Sequence, residues 1–206
     1  MEINEKFGIL ANEESIRRTV EALIKNGFRA EVAENSEATR KRVLEILPAG
    51  AEVMTMTSVT LDTLGISKEI NESGRFNSIR GKFTQMDQKT QGSEMRKLGA
   101  GPDWVLGSVH AVTEEGEVVV ASATGSQLPA YAYGAGKVVW VVGAQKIVKN
   151  LEEGMQRIRE YTLPLEDERA QKFYGVHSSL NKWLIFEKEG NADRITIIII
   201  KEKLGF

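Results

Sequence analysis

The chain has 206 residues, 41% of them hydrophobic and 27% charged, with a net charge of −2 at pH 7. That length suits one domain with a substantial core, and the charge balance argues against an electrostatic hold on nucleic acid or on an acidic membrane surface. The sequence contains no cysteine, which removes disulfides, thiolate metal sites, iron–sulfur ligation by this chain and a cysteine nucleophile from consideration.

The first ten residues, MEINEKFGIL, lack the basic and apolar regions of a signal peptide. The longest apolar run, residues 138–144, is far short of the roughly 20 residues that a membrane span needs. A cytoplasmic protein without a membrane or nucleic-acid partner is therefore expected. Residues 1–206 are expected to form a single domain, with an N-terminal helical segment (about residues 1–27) packing on the rest.

Residues 12–26 carry apolar side chains at Ile16, Val20, Leu23 and Ile24, a one-faced helical stripe with Asn12 as cap and Gly27 at the end. Residues 28–33 alternate, Phe28, Ala30 and Val32 against Arg29 and Glu31, and predict a strand. Ser36 then caps a second helix running to Leu47, with Ala38, Val43, Leu44 and Leu47 inward, ended by Pro48-Ala49-Gly50. Residues 52–56 predict a short strand. The order α-β-α-β is that of an α/β sheet with helical crossovers.

A cluster of hydroxyls follows, from Thr57 and Ser58 to Thr60, where the strand turns into a short helix. Ser58 and Thr60 are candidate donors to an anion; the alternative is that Ser58 only caps the helix. Residues 66–103 are the least legible stretch. Residues 66–70 continue or follow the short helix, residues 76–79 suggest a strand, and residues 84–98 read either as a helix across a site or as a mobile lid.

Residues 104–144 form the segment around which the chain is organised: strand, hairpin, small polar loop, short helix, buried strand. The apolar runs 118–121 and 138–142 are too short for helices and rich in β-branched residues, which favours strands buried on both faces. The turn at Glu114-Glu115-Gly116-Glu117 reads as a solvated hairpin rather than a set of catalytic carboxylates. Between the two runs, Ser122 to Gln127 places Thr124, Gly125, Ser126 and Gln127 where a strand ends and a helix starts, the edge at which open α/β sheets bind ligands. If the strands preceding Ser58 and Thr124 are neighbours, the two hydroxyl loops share one crevice.

Lys137 and Lys146 bracket the second run. Strand-flanking lysines are usually solvated, but Lys146 follows the carboxyl end and can reach an anion there. His110 is either a hydrogen-bonded structural residue or part of the site. Two histidines, 67 residues apart, are too few for a zinc or iron site. No cofactor and no metal is predicted, although magnesium held by oxygen ligands stays open. No phosphate-loop, dinucleotide-binding, nucleophile-elbow or zinc-protease motif is present.

Asn150 with Glu153 predicts a capped helix over residues 151–161, interrupted by Leu163-Pro164-Leu165 before a further turn or two over 166–173. His177 falls in a loop. Residues 182–188 and 194–201 read as strands, and the four consecutive isoleucines 197–200 need cover on both faces, so the last strand is expected inside the sheet.

The stretches VEALIKNGFRAEVAEN, SVTLDTLGI, AVTEEGEVVVASATGSQLPAYAYGAGKVVWVVGAQKIVKNLEEGMQRI and RITIIIIKEKLGF together resemble the LUD domain family, the lactate-utilisation protein C group. The resemblance covers nearly the whole chain and implies a three-layer, Rossmann-like α/β fold with a mostly parallel sheet, similar to the ribose-phosphate isomerase, glucosamine-phosphate deaminase and CoA-transferase superfamily. It implies a role in L-lactate oxidation beside iron–sulfur partner subunits, and the superfamily implies phosphorylated or acyl-CoA ligands at loops that follow the strands; the ligand expected here is a small carboxylate or phosphate, and a homodimer stays open. Two departures stand out. Met56 and Thr57 occupy places where the family commonly has glycines, which narrows backbone approach to a ligand. His110 stands where the family often has Asn, and the segment GVHSSLNKW lacks the family's cysteines.

Three functions compete: an accessory or substrate-handling protein that binds a small anion, a free-standing isomerase, CoA-transferase or folate cyclo-ligase-like enzyme, and a non-catalytic interaction module. The enzymatic readings need a carboxylate near the hydroxyl loops, and Asp62 and Glu117 are the nearest by position. The candidate ligand-binding residues are thus Ser58, Thr60, His110, Thr124, Gly125, Ser126, Gln127 and Lys146.

Overall fold

A computed structural model describes residues 2–206. Helix α1 (Glu13–Lys25) is capped by Asn12, whose side chain accepts from the Ser15 N–H, and buries Ile16 and Leu23. Ile24, expected inward, is 55% exposed, because the apolar stripe is narrower than the sequence suggested and Thr19 takes a core position. Strand β1 (Arg29–Ala33) and helix α2 (Ser36–Ile46) follow. The cap of α2 is Asn35 rather than Ser36, and Thr39 is buried where Ala38 was expected. An asparagine one residue upstream satisfies the same orphan amides, so the helix simply begins earlier.

Strand β2 (Glu52–Thr55) leads to the short helices α3 (Val59–Thr63) and α4 (Ile66–Glu72). The obscure stretch then resolves into a two-residue strand β3 (Asn77–Ser78), helix α5 (Ile79–Phe83) and the thirteen-residue helix α6 (Gln88–Ala100). Its weak periodicity has a cause: only Gly99 of α6 is fully buried, because the helix lies along an open cavity and has no complete apolar face to advertise.

Strand β4 (Trp104–Gly107) precedes a hairpin of β5 (Ala111–Thr113) and β6 (Val118–Ser122), paired antiparallel. Gly116 turns it with φ 81°, close against the backbone of Ala22. A side chain there would meet both a strained dihedral and helix α1. After a π-helical turn at Ala130–Gly134 come β7 (Lys137–Gly143), a 3-10 turn at Ala144–Lys146 and the two-residue strand β8 (Ile147–Val148).

Helix α7 (Leu151–Arg157) is capped by Asn150, passes through a π turn at Ile158–Thr162, and continues as α8 (Leu163–Tyr174). Pro164 does not interrupt the run. It occupies the first turn of α8, where its missing N–H has no intrahelical partner to lose. The chain ends with β9 (Lys182–Phe186) and β10 (Ile195–Ile200).

Six strands make a parallel sheet in the order β1-β10-β7-β4-β2-β3, and four make a second sheet in the order β8-β5-β6-β9. Strand β10 lies between β1 and β7, as four consecutive isoleucines require. Alternate residues serve opposite faces. Ile195, Ile197 and Ile199 join one core with Trp140, while Ile198 and Ile200 join another with Leu106, Val139 and Val141. Each fully buried isoleucine stabilises the fold by about 1.5–3 kcal/mol.

The second core is closed by Val43 of α2, Leu61 of α3, and Ile66 and Ile70 of α4. The first is closed by α1 and by the inner face of the small sheet, through Val112, Val118 and Val120. Trp140 of β7 spans that interface, edge-on to Tyr131 and to Phe186 of β9 at 5.2 Å in both cases. The molecule is thus a layered α/β fold with a parallel central sheet and helices outside.

Candidate functional site

The central sheet reverses its direction of build between β2 and β4: the chain steps outward from β2 to β3, then returns through β4, β7 and β10. Such a reversal leaves a crevice at the carboxyl ends of the strands, since the connections on either side diverge. Met56, Thr57 and Ser58 emerge there from β2, Ser108 and His110 from β4, Lys146 from β7, and Gly205 and Phe206 follow β10. All of them line one cavity of about 990 Å³.

The loop of residues 122–127 lines the same cavity, but not for the expected reason. Strands β2 and β6 are not neighbours; β6 belongs to the small antiparallel sheet. The two hydroxyl loops meet because the small sheet packs over one face of the large one and carries its loop across the crevice. All eight sequence-derived candidates therefore border a common space, by a contact between sheets that no local pattern encodes.

Their roles differ once hydrogen bonds are traced. Ser58 Oγ accepts from the Leu61 N–H at 3.3 Å, so it caps α3 and still has its own hydrogen for an anion. Gln127 is held inward: Ser122 Oγ donates to its Oε1 at 3.0 Å, and its amide donates to the carbonyl of Ala121 at 3.3 Å. Thr124 and Ser126 are exposed at the rim, with Thr124 Oγ1 accepting from the Ser126 N–H at 3.3 Å. Gly125 leaves room for the Lys182 side chain, whose amine donates to the carbonyl of Thr124.

Lys146 departs most from the solvated norm for strand-flanking lysines. It is 2% exposed, and its amine donates to Ser108 Oγ at 3.1 Å and Thr60 Oγ1 at 3.3 Å. No salt bridge to a carboxylate joins it among the described residues. Burial holds its pKa well below the ordinary lysine value of 10.5, and the nearby Arg157 guanidinium lowers it further. The 3-10 turn after β7 supplies the geometry, folding the side chain back under the strand ends instead of out to water.

His110 is structural and borders the site at once. Its Nδ1 accepts from the Ala121 N–H at 3.1 Å, pinning β4's exit to β6. Burial, then Lys146 and Arg157, push its pKa down to about 3, so the ring is neutral near pH 7 and carries its hydrogen on Nε2. Arg157, wholly buried, donates to the carbonyls of His110 at 2.6 Å and Gln145 at 3.3 Å and to Thr162 Oγ1 at 2.9 Å. Its Nη2 has no hydrogen-bond partner among the described residues.

Several lining residues escaped the sequence reading. Ser108 follows a strand end just as Ser58 does, and the same rule finds it. Arg80, Arg96 and Arg169 come from the illegible stretch and from the helix beyond the proline, where spacing gave no sign that they converge. Arg80 donates to the carbonyl of Thr55 at 2.9 Å, and burial lowers its pKa. Asp62 and Glu117, the acidic residues nearest by sequence, do not line the cavity; among the described residues Glu166 is the one carboxylate side chain that does, and Arg169 holds it in a two-pronged ion pair at 2.7 Å.

The arrangement is therefore cationic overall, within a chain of net charge −2. Among the described residues no group of three or more His, Asp or Glu side chains gathers as a metal site would need, and no helix is long and apolar enough to cross a membrane. An apolar flank of the cavity is formed by Met54, Phe83 and Met95.

The fold is similar to that in the crystal structure of a DUF162 family protein from Deinococcus radiodurans, at a TM-score of 0.54 and 13% sequence identity, over 93% of this chain and 99% of that one. No curated protein matches the sequence at a significant level. The sequence profile of the LUD domain matches residues 16–200, which take in both hydroxyl loops, β4, β7 and Lys146; the chain belongs to the LUD domain family.

Proposed function

We propose that this LUD-domain protein binds a small anionic ligand, a carboxylate or phosphate, at the strand ends, and acts as an accessory or substrate-handling protein in lactate or organic-acid utilisation. One observation carries the reading: Lys146 is buried on the cavity wall with hydroxyl partners only. Protonating a buried amine without a counter-charge is costly, and an anion docked beside it supplies that charge. Arg80 and Arg96, which line the same cavity, add charge and planar donors suited to carboxylate or phosphate. The utilisation of lactate follows from the family, not from the cavity.

The same geometry weighs against the isomerase and CoA-transferase readings. Both need a free carboxylate as base or nucleophile, and Glu166 is tied to Arg169. The test is thermal unfolding with L-lactate, pyruvate and a sugar phosphate at millimolar concentration. At least one is expected to raise the melting temperature, and Lys146→Met is expected to abolish the rise. No stabilisation by any of them would favour the plain interaction module. Copurification of an iron–sulfur protein would support the accessory role.

A further inference from the structure

The two partners of the Lys146 amine send their own hydrogens elsewhere. Ser108 donates to the carbonyl of Val141 at 2.7 Å, and Thr60 to the carbonyl of Leu204 at 3.3 Å. Both hydroxyls thus present lone pairs to the lysine, and an uncharged amine spends its two hydrogens on them. The nitrogen's own lone pair is then left without a donor. Burial favours that uncharged form. A neutral primary amine on the wall of a cavity that also holds Arg80 and Arg96 is a nucleophile beside an anion receptor.

We propose that Lys146 forms an imine with a small 2-oxo acid, or with an aldehyde bearing a carboxylate, whose acid group is held in the same cavity. The proposal rests on the anion-binding reading, because the acid group is what brings the carbonyl to the amine. In the step, Nζ adds to the carbonyl carbon, a C–N bond forms and the carbonyl π bond breaks. Both amine hydrogens then leave with the carbonyl oxygen as water, giving C=N, and nothing is oxidised or reduced. Ser108 Oγ, 3.1 Å from the nitrogen, is placed to relay a proton between nitrogen and oxygen at the carbinolamine stage.

Gly205 covers the amine from the side of the chain's last residues. A Cβ there would stand 2.5 Å from Thr60 Oγ1 and 3.5 Å from Lys146 Nζ. The backbone thus closes over the lysine with no side chain between them, while the cavity stays open to a ligand. Exclusion of bulk water on the covered side protects an imine from hydrolysis.

Reductive trapping of the full chain tests this. Pyruvate or glyoxylate with cyanoborohydride is expected to give one reduced adduct per chain, mapped by peptide mass to Lys146. L-Lactate, which has the carboxylate but no carbonyl, is expected to give none. Lys146→Arg is expected to lose the adduct while pyruvate still stabilises the fold, and Lys137→Arg, at the other end of β7, to keep both. Should Lys146→Arg fail to fold, the adduct position in the unaltered protein decides. Adducts scattered over surface lysines, or no adduct while pyruvate stabilises, overturn the imine and leave anion binding intact. No adduct and no stabilisation overturn both.

Discussion

Ser108 Oγ stands 3.1 Å from Lys146 Nζ and 2.7 Å from the carbonyl of Val141, so a single hydroxyl ties the exit of β4 to the buried lysine and to the backbone of β7. The hydroxyl donates to the carbonyl and accepts from the amine. Hydroxyls satisfy the lysine's hydrogens without neutralising a charge, which is why the site can hold an amine but favours its uncharged state.

Replacing that amine separates stability from binding. Lys146→Met keeps most of the volume and removes the desolvation cost, so the ligand-free fold is expected to be as stable or more so, by up to about 2 kcal/mol near pH 7. The native lysine has a pKa well below 10.5. Between the two values the unfolded chain binds more protons, and stability rises with pH towards 10.5. The variant is expected to lose that rise, as read by denaturant unfolding at pH 7 and pH 9.5.

His110 predicts the opposite limb. Its native pKa of about 3 lies below the ordinary 6.5, so between those values the unfolded chain takes up a proton that the native ring refuses. Stability is lost as pH falls through this window. His110→Asn offers Ala121 an amide oxygen in place of Nδ1 and does not titrate. At pH 4.5 the variant is expected to retain about 2 kcal/mol that the unaltered protein loses relative to pH 7. Equal losses in both proteins would show that the ring is solvated.

Gly107, at the end of β4, packs against the phenol of Tyr131, and an added Cβ would overlap Tyr131 Oη. Gly107→Ala is expected to cost about 2–3 kcal/mol by overpacking. Tyr131→Phe removes the oxygen but leaves the ring close, so the double variant is expected to recover part of the loss, with a coupling of about 1 kcal/mol in a double-mutant cycle. Additive effects would rule out the contact as the cause.

Among the described residues Glu166 is the lone carboxylate side chain on the cavity wall, and it is paired with Arg169. Glu166→Gln is expected to tighten binding of any anion that stabilises the protein by a few fold, since one negative charge leaves the cavity and Arg169 is released. Titration calorimetry at low and high salt checks this. Weaker binding would mean that Glu166 contacts the ligand directly.

Much of the scaffold was written locally. Asn12, Ser58 and Asn150 cap helices because their side chains reach amides three residues on, and the consecutive isoleucines of β10 demanded an interior place because they need cover on both faces. The hydroxyl loops were visible for the same reason: each follows an apolar β-branched or buried run. What the sequence left open was which sheet each run joins. β6 looks as parallel-buried as β7, since all five of its residues are buried, yet it pairs antiparallel with β5 and β9. Burial on both faces is blind to the direction of a neighbour. The burial of Lys146, the inward turn of Arg157 and the convergence of Arg80 and Arg96 were likewise decided only in three dimensions, because a charge's environment is set by what packs over it from distant segments. Local chemistry fixed where strands end and helices begin; the stacking of one sheet on the other made those ends into a cavity.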